Sequence, residues 1–188
     1  MKNIAIFASG SGTNFQAIVD ANQQGKLDAN IKVLICDKPQ ANCIKRAVDA
    51  AVPSFVFNAK EFASKEEYEK KILQELQHAE VEFIVLAGYM RLIGSVLLQT
   101  YAGRIVNVHP SLLPAFPGKD AIGQALEARA KATGVTIHYV DEGMDTGPII
   151  DQYSITMDED ETKASLQNKI HEVEHQFYPM VLNKLLNQ

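Results

Sequence analysis

Three polar residues of types that can donate hydrogen bonds or move protons lie in two short segments of the chain. Asn107 and His109 end an apolar run that begins at Ile105, and Asp145 lies between two glycines further along. Because side chains alternate along a strand, Asn107 and His109 are predicted to point to the same face. An amide donates hydrogen bonds, and an imidazole gains or loses a proton near neutral pH. With a carboxylate nearby, these are the groups that acyl transfer to an amine requires.

A glycine-rich stretch at residues 9–14 follows the first apolar run and precedes a helical pattern. Glycines let the backbone approach a ligand, and the free N–H groups of a helix start favour an anion. The match to a dinucleotide fingerprint is partial, because Phe15 stands where a third glycine is needed. Asp37, which ends the second apolar run, can stand in for the acid that binds a ribose. We expect a single phosphate as the ligand; a tight turn without a ligand is the alternative.

Strands and helices must alternate to position these segments. Strands are predicted at 3–8, 31–36, 54–57, 83–87 and 105–109, and helices at 13–24, 41–51, 64–79 and 94–101. The alternation indicates a single-domain α/β fold over residues 1–188, with an open, mostly parallel, Rossmann-like sheet and helices on both faces. After Pro117 we predict a helix at about 121–131, an antiparallel extension at 136–140 and 149–154, and a long final helix at about 162–186. Ligands of such sheets bind at the carboxyl ends of the strands, so one cleft can hold both polar segments.

Composition narrows the class of protein. The chain has 188 residues, 46% of them hydrophobic, and a net charge of −5, which argues against a nucleic-acid partner. No segment has the length of a signal peptide or a membrane span. Cys36 and Cys43 are too few for a disulfide scaffold, and Cys36 is expected in the core. We therefore predict a cytoplasmic protein without a membrane partner. The oligomeric state stays open, a homodimer included.

One further pattern, His171-Glu-Val-Glu-His175, matches the H-E-x-x-H motif of zinc metalloproteases on a predicted helix. A catalytic zinc needs a third protein ligand, usually further along the chain, and no His, Cys, Asp or Glu follows His175. We therefore expect no metal and assign both histidines to the polar face of the last helix. His78 and His138 belong to no such pattern, and a structural role is expected for both.

The segments Asn107-Val-His-Pro-Ser-Leu-Leu-Pro114 and Asp141-Glu-Gly-Met-Asp-Thr-Gly-Pro-Ile149 together resemble the folate-dependent formyltransferases. Three further segments resemble the branch of this family that acts in purine synthesis. They are Ser-Gly-Ser-Gly-Thr-Asn at 9–14, Leu-Ala-Gly-Tyr-Met-Arg-Leu-Ile at 86–93 and Glu-His-Gln-Phe-Tyr-Pro at 174–179. The resemblance covers the whole chain. It implies transfer of a formyl group from 10-formyltetrahydrofolate to the amine of glycinamide ribonucleotide, without a metal.

The resemblance also assigns roles to individual residues. It implies that the catalytic residues are Asn107, His109 and Asp145. It implies that the ribonucleotide contacts are Gly12, Thr13, Asn14, His171 and Glu174. The folate contacts it implies are Lys65, Met90, Arg91, Leu92, Ile93, Asn107, Val140, Asp141, Glu142, Gly143, Met144 and Asp145. Lys65 stands where some relatives have an arginine, and residues 119–124 depart from relatives that carry histidines there.

Two other functions remain open. Another enzyme that uses 10-formyltetrahydrofolate, such as methionyl-tRNA formyltransferase, shares the formyl-transfer segments. That enzyme carries an extra C-terminal domain and must hold tRNA, whereas this chain is acidic and is expected to stop after one helix. A nucleotide-binding module without catalysis explains the glycine-rich stretch but not the three polar residues.

Overall fold

The computed structural model describes residues 1–188, in which strands and helices alternate as the sequence predicts. The strands are β1 (Lys2–Ala8), β2 (Ala29–Cys36), β3 (Ser54–Val56), β4 (Phe83–Leu86), β5 (Ile105–His109), β6 (Ala132–Tyr139) and β7 (Ile149–Thr156). The helices are α1 (Thr13–Gln23), α2 (Asn42–Asp49), α3 (Lys65–His78), α4 (Ser95–Thr100), α5 (Ala121–Glu127) and α6 (Lys163–Leu186). A short 3₁₀-helix spans Ala59–Glu61.

All seven strands form one sheet in the order β3-β2-β1-β4-β5-β6-β7. The strands β1 to β5 pair in parallel, and β6 and β7 extend the sheet in antiparallel fashion. The predicted fold class is therefore confirmed. The chain leaves β1 towards β2 on one side and returns to β4 on the other, so the strand order reverses between β1 and β4. Ligands bind at such a reversal because the flanking loops diverge there and leave a crevice.

Helices cover both faces of the sheet, and the core has two halves. On one face of the sheet, Ile4 and the other buried strand residues pack against α1, α2 and α6. On the other face, Phe7 and the buried strand residues beside it pack against α3 and α4. Tyr178 of α6 is fully buried and donates a hydrogen bond of 2.9 Å from its hydroxyl to the carbonyl of Leu86. This bond ties the last helix to the end of β4, next to the reversal.

Residues 121–139 differ most from the sequence prediction. Helix α5 ends at Glu127 rather than near 131, because Arg129 adopts a left-handed conformation with φ of 48°. Strand β6 begins at Ala132, four residues earlier than predicted. Gly134 lies inside this strand, where a side chain would collide with the carbonyl of Tyr153 and with Leu112. Glycine here is thus a packing requirement, as is common where another part of the chain closely approaches a strand.

The start of α6 is fixed by a capping box. The Thr162 hydroxyl accepts a hydrogen bond of 3.1 Å from the N–H of Ser165, and the Ser165 hydroxyl accepts one of 2.9 Å from the N–H of Thr162. Such a cap sets where the helix begins and hence which residues share each face. No helix of the protein is both long and apolar enough to cross a membrane.

Candidate active site

A cavity of about 730 Å³ lies at the carboxyl ends of β1, β4 and β5. It is lined by residues 9–14 after β1, residues 86–93 after β4, the end of β5, most of residues 140–147, and one face of α6. The two polar segments that the sequence predicts in one cleft therefore meet there.

The three polar residues that the sequence predicts at the site all line this cavity, and two of them are in contact. Asn107 and His109 both project from β5, and Asp145 approaches from the loop after β6. The distance from His109 Nδ1 to Asp145 Oδ2 is 3.4 Å, and the two side chains are 6% and 11% exposed. Because little water reaches this pair, its electrostatic interaction is stronger than at a surface.

A second histidine, His138, completes the group. It lies opposite Asn107 in the antiparallel pairing of β5 and β6, with Asn107 Nδ2 at 3.3 Å from His138 Nε2. His138 Nδ1 is 2.8 Å from the carbonyl of Tyr139, which can only accept, so Nδ1 carries the hydrogen. Burial lowers the pKa of His138, which favours this neutral form. Its Nε2 then accepts from Asn107 and orients that amide.

His109 makes a different pair of contacts. Its Nε2 lies 2.9 Å from the carbonyl of Phe116, so this nitrogen donates. Its Nδ1 faces Asp145, and that contact is a hydrogen bond only when Nδ1 also carries a hydrogen. Asp145 is held in place because its Oδ2 also accepts a hydrogen bond of 2.8 Å from the N–H of Gly118.

The loop after β1 is shaped by α2. Gly12 has a φ of +75°, and a Cβ at this position would lie 2.6 Å from Cβ of Cys43. The N–H of Cys43 donates to the carbonyl of Gly10 at 3.0 Å, and Arg46 Nε donates to the carbonyl of Ser11 at 2.8 Å. Helix α1 starts directly afterwards at Thr13, and Thr13 and Asn14 line the cavity. The free N–H groups of a helix start favour an anion.

Asn14 and Glu174 connect this loop to α6. Asn14 Nδ2 donates to Glu174 Oε2 at 3.0 Å, and Asn14 Oδ1 is buried without a partner. Burial raises the pKa of Glu174 to about 7. His171 lies one turn earlier on the same helix face, and burial lowers its pKa. Both side chains line the cavity.

Comparison with known proteins assigns the chain and its fold to a family. The family model for formyl transferases matches residues 2–182. The chain belongs to the formyl transferase family. It is 54% identical over 186 residues to phosphoribosylglycinamide formyltransferase of Bacillus subtilis, an alignment that covers 99% of this chain and 95% of that protein. The resemblance seen in the sequence is thus confirmed.

Solved structures of the same family have the same fold. The crystal structure of glycinamide ribonucleotide transformylase 1 from Geobacillus kaustophilus shares 57% identity with a TM-score of 0.97 and covers 99% of both chains. The crystal structure of phosphoribosylglycinamide formyltransferase from Bacillus halodurans shares 52% identity with a TM-score of 0.97, and covers 100% of this chain and 96% of that chain.

Within this formyl transferase fold, most of the predicted folate residues border the cavity. Residues 90–93 form one wall, with Ile93 buried and Met90 and Leu92 exposed. Val140, Asp141, Gly143 and Met144 belong to the opposite loop. Two predicted contacts lie outside the lining: Glu142 is exposed, and Lys65 stands at the start of α3 beside Gly94. The roles of all these residues stay predictions.

The structure differs from two interpretations of the sequence. His138 does belong to the group of site residues, because it lines the cavity and its Nε2 lies 3.3 Å from Asn107 Nδ2. Asp37 does not present a carboxylate to a ribose, because its side chain is 1% exposed and does not line the cavity. Its oxygens accept hydrogen bonds from Ser9 and Arg91 instead. Because side chains alternate along β6, the sequence predicts that His138 and Thr136 share one face. It does not predict that His138 lies opposite Asn107, which depends on the pairing of β6 with β5.

The last helix does not gather metal ligands. His171 and His175 stack with ring centroids 5.9 Å apart, and Glu174 between them in sequence turns to Asn14. No group of three His, Cys, Asp or Glu side chains in the structure is close enough to hold a metal ion. That the protein works without a metal stays a prediction.

Proposed function

We propose that this protein transfers a formyl group from 10-formyltetrahydrofolate to the amine of glycinamide ribonucleotide, giving formylglycinamide ribonucleotide and tetrahydrofolate in purine synthesis. The observation that carries the proposal is the meeting of Asn107, His109 and Asp145 in the cavity that the loop after β1 also lines. Relatives named phosphoribosylglycinamide formyltransferase that match nearly the whole chain support it.

Asn107 and His109 are the proposed donors to the oxyanion. When the amine attacks the formyl carbon, the formyl oxygen gains negative charge. One N–H of Asn107 is used on His138, which leaves its second N–H for this oxygen. His109 Nε2 donates to the Phe116 carbonyl, and a charged oxyanion competes well for that donor because it is the stronger acceptor. Donors fixed in a site with little water stabilise the developing charge most.

Asp145 and His109 are the proposed route for the proton. The attacking nitrogen must lose a proton, and the folate nitrogen must gain one as its bond to the formyl carbon breaks. Asp145 Oδ2 lies 3.4 Å from His109 Nδ1, so a proton can pass between the two side chains, directly or through a water molecule. The formyl group moves in one addition and one elimination, and no covalent bond to the protein forms.

The two substrates are assigned to different walls. The ribonucleotide phosphate is proposed to bind the N–H groups at Gly12, Thr13 and Asn14, with His171 and Glu174 beside the ribose. The folate is proposed to lie between residues 90–93 and residues 140–145, with Lys65 near its tail. The cytoplasmic location stays a prediction, and the oligomeric state stays open.

A direct assay tests the proposal. The purified protein is mixed with 10-formyltetrahydrofolate and glycinamide ribonucleotide, and release of tetrahydrofolate is followed. His109→Ala should reduce kcat by about 100-fold or more, since it removes an oxyanion donor and the partner of Asp145. His78→Ala is the control, because His78 is exposed at the end of α3. Retention of more than about a tenth of the rate in His109→Ala would contradict this role.

The choice of acceptor decides between the proposal and its alternative. Methionyl-tRNA is offered in a parallel reaction at the same folate concentration. We expect transfer to glycinamide ribonucleotide only. Transfer to methionyl-tRNA alone would assign the protein to the other branch, and transfer to neither would leave it as a binding module.

A further inference from the structure

A chain of hydrogen bonds through Asp37 joins the two loops that line the cavity. The N–H of Met90 donates to Oγ of Ser9 at 2.9 Å, and Ser9 Oγ donates to Asp37 Oδ1 at 2.5 Å. Arg91 Nε donates to Asp37 Oδ2 at 2.8 Å. A serine hydroxyl has one hydrogen, so Ser9 must accept from Met90 and give its hydrogen to Asp37. The polarity of the chain is therefore fixed.

Burial makes this chain of contacts costly to break. The Asp37 side chain is 1% exposed, and its charge is balanced by Arg91, which is 36% exposed. A buried carboxylate that loses a partner has no water to replace it, so the remaining groups must move. Asp37 itself does not line the cavity, and its influence on a ligand must pass through Ser9 and Arg91.

Residues 90–93 depend on this network for their position. The backbone groups of residues 91–93 make no hydrogen bonds within the protein, although these residues line the cavity. The segment is anchored at its ends instead: by Ser9 at Met90, and by Glu69, whose Oε2 accepts a hydrogen bond of 2.8 Å from the N–H of Gly94. Unpaired backbone groups at fixed positions suit recognition of a flat polar ring, provided that their anchors hold.

We infer that Asp37 is a positioning residue for both substrates of the proposed reaction. Through Ser9 it fixes the loop after β1, which the proposed function gives to the ribonucleotide phosphate. Asp37 also fixes residues 90–93, directly through Arg91 and indirectly through Ser9 and Met90. In the proposed function these residues bind the folate. The inference rests on that function, and it adds that one buried carboxylate contributes to the geometry of both walls.

Two substitutions at Asp37 separate its two links. In Asp37→Asn, the side-chain oxygen can still accept from Ser9, but the amide nitrogen faces another donor at Arg91. The KM for 10-formyltetrahydrofolate should rise about tenfold, which is the effect expected from the loss of one charged hydrogen bond. The KM for glycinamide ribonucleotide should change less than about twofold, because the link to Ser9 remains. In Asp37→Ala both links are lost, so both KM values should rise by about tenfold. In both variants kcat should stay within about threefold of wild type, because the catalytic groups are untouched.

Asp49→Asn is the matched control. Asp49 is an exposed residue of α2 that pairs with Lys45 on the same helix, and neither KM should change. A merely structural role of Asp37 would lower the melting temperature and the fraction of active enzyme, with both KM values as in wild type.

In a double-mutant cycle, adding Ser9→Ala to Asp37→Ala should raise the ribonucleotide KM less than twofold further, since the two residues act on one link.

Binding of tetrahydrofolate, measured by calorimetry, separates failure of the inference from failure of the proposed function. If the wild type transfers formyl groups and folded Asp37→Asn keeps both wild-type KM values, the inference is wrong and the proposed function stands. If the wild type neither transfers formyl groups nor binds tetrahydrofolate, the proposed function is wrong, and the inference falls with it. If Asp37→Ala does not fold, Asp37→Asn decides alone, because it keeps the shape of the side chain.

Discussion

Asn14 donates a hydrogen bond from Nδ2 to Oε2 of Glu174 over 3.0 Å, across 160 positions of sequence. The bond joins the first loop of the sheet to the last helix. Glu174 is 5% exposed, and burial raises the pKa of this carboxyl to about 7. The protein therefore holds a carboxyl group at the edge of its cavity that changes charge near neutral pH.

Glu174→Gln should remove a pH-dependent loss of stability. A raised pKa means that the folded protein keeps the proton after the unfolded chain has lost it. The contribution of Glu174 to folding stability is therefore fully present below the unfolded pKa of 4.5, and it is lost as the pH rises through about 7. The shift corresponds to about 3 kcal/mol. Denaturant unfolding at pH 4.5 and pH 8 should show the variant gaining stability over wild type at the higher pH.

The control for this measurement is Glu172→Gln. Glu172 lies on the exposed face of the same helix, so its variant should follow the pH dependence of wild type. Parallel curves for Glu174→Gln and wild type would show that Glu174 is not protonated in the folded protein near neutral pH.

Gly12→Ala should be much more damaging than Gly10→Ala. Gly12 has a φ of +75°, and an added Cβ would lie 2.6 Å from Cβ of Cys43; a Cβ at Gly10 would meet nothing within 4 Å. We expect Gly12→Ala to cost about 1–3 kcal/mol of folding stability and to raise the KM for the ribonucleotide, because backbone and α2 must both shift. Unfolding curves and substrate titrations of both variants check this. Equal effects at the two glycines would contradict it.

The parts of the site that follow local patterns could be predicted from the sequence. The bounds of β5 agree with the structure, and alternation along that strand puts Asn107 and His109 together. His138 escaped prediction because its contact with Asn107 depends on the register between β5 and β6, which 22 intervening residues separate. The network of Asp37 escaped for the same reason: Ser9, Asp37 and Arg91 follow three different strands, and only the packed sheet brings them together.

His138→Ala should slow the reaction without weakening substrate binding. His138 Nε2 lies 3.3 Å from Asn107 Nδ2 and orients the amide that is proposed to bind the oxyanion. A misplaced donor acts mainly in the transition state, so kcat should fall about 10- to 100-fold with each KM within about threefold. Steady-state kinetics check this, with His78→Ala as the control. A wild-type kcat would show that Asn107 keeps its orientation unaided.

Asp145→Asn should cost rate far more than substrate binding. The amide can keep the contact with the N–H of Gly118 but removes the charge that faces His109 at 3.4 Å. We expect kcat to fall about 100-fold or more, with a changed pH–rate profile. Asp28→Asn, at an exposed position outside the cavity lining, is the control. Normal turnover with an unchanged profile would reduce Asp145 to a loop residue.

Removal of metal ions should leave the activity unchanged. The His171 and His175 rings stack on each other, Glu174 is turned to Asn14, and no third ligand joins them. A catalytic zinc needs three protein ligands, and the proposed transfer uses hydrogen-bond donors for the charge that a metal would otherwise stabilise. Dialysis against a strong chelator should therefore preserve kcat, and elemental analysis should find well below one zinc per chain. A zinc metalloprotease treated in parallel shows that the chelator works. Stoichiometric zinc, with activity lost on chelation and restored by added zinc, would overturn this interpretation of α6.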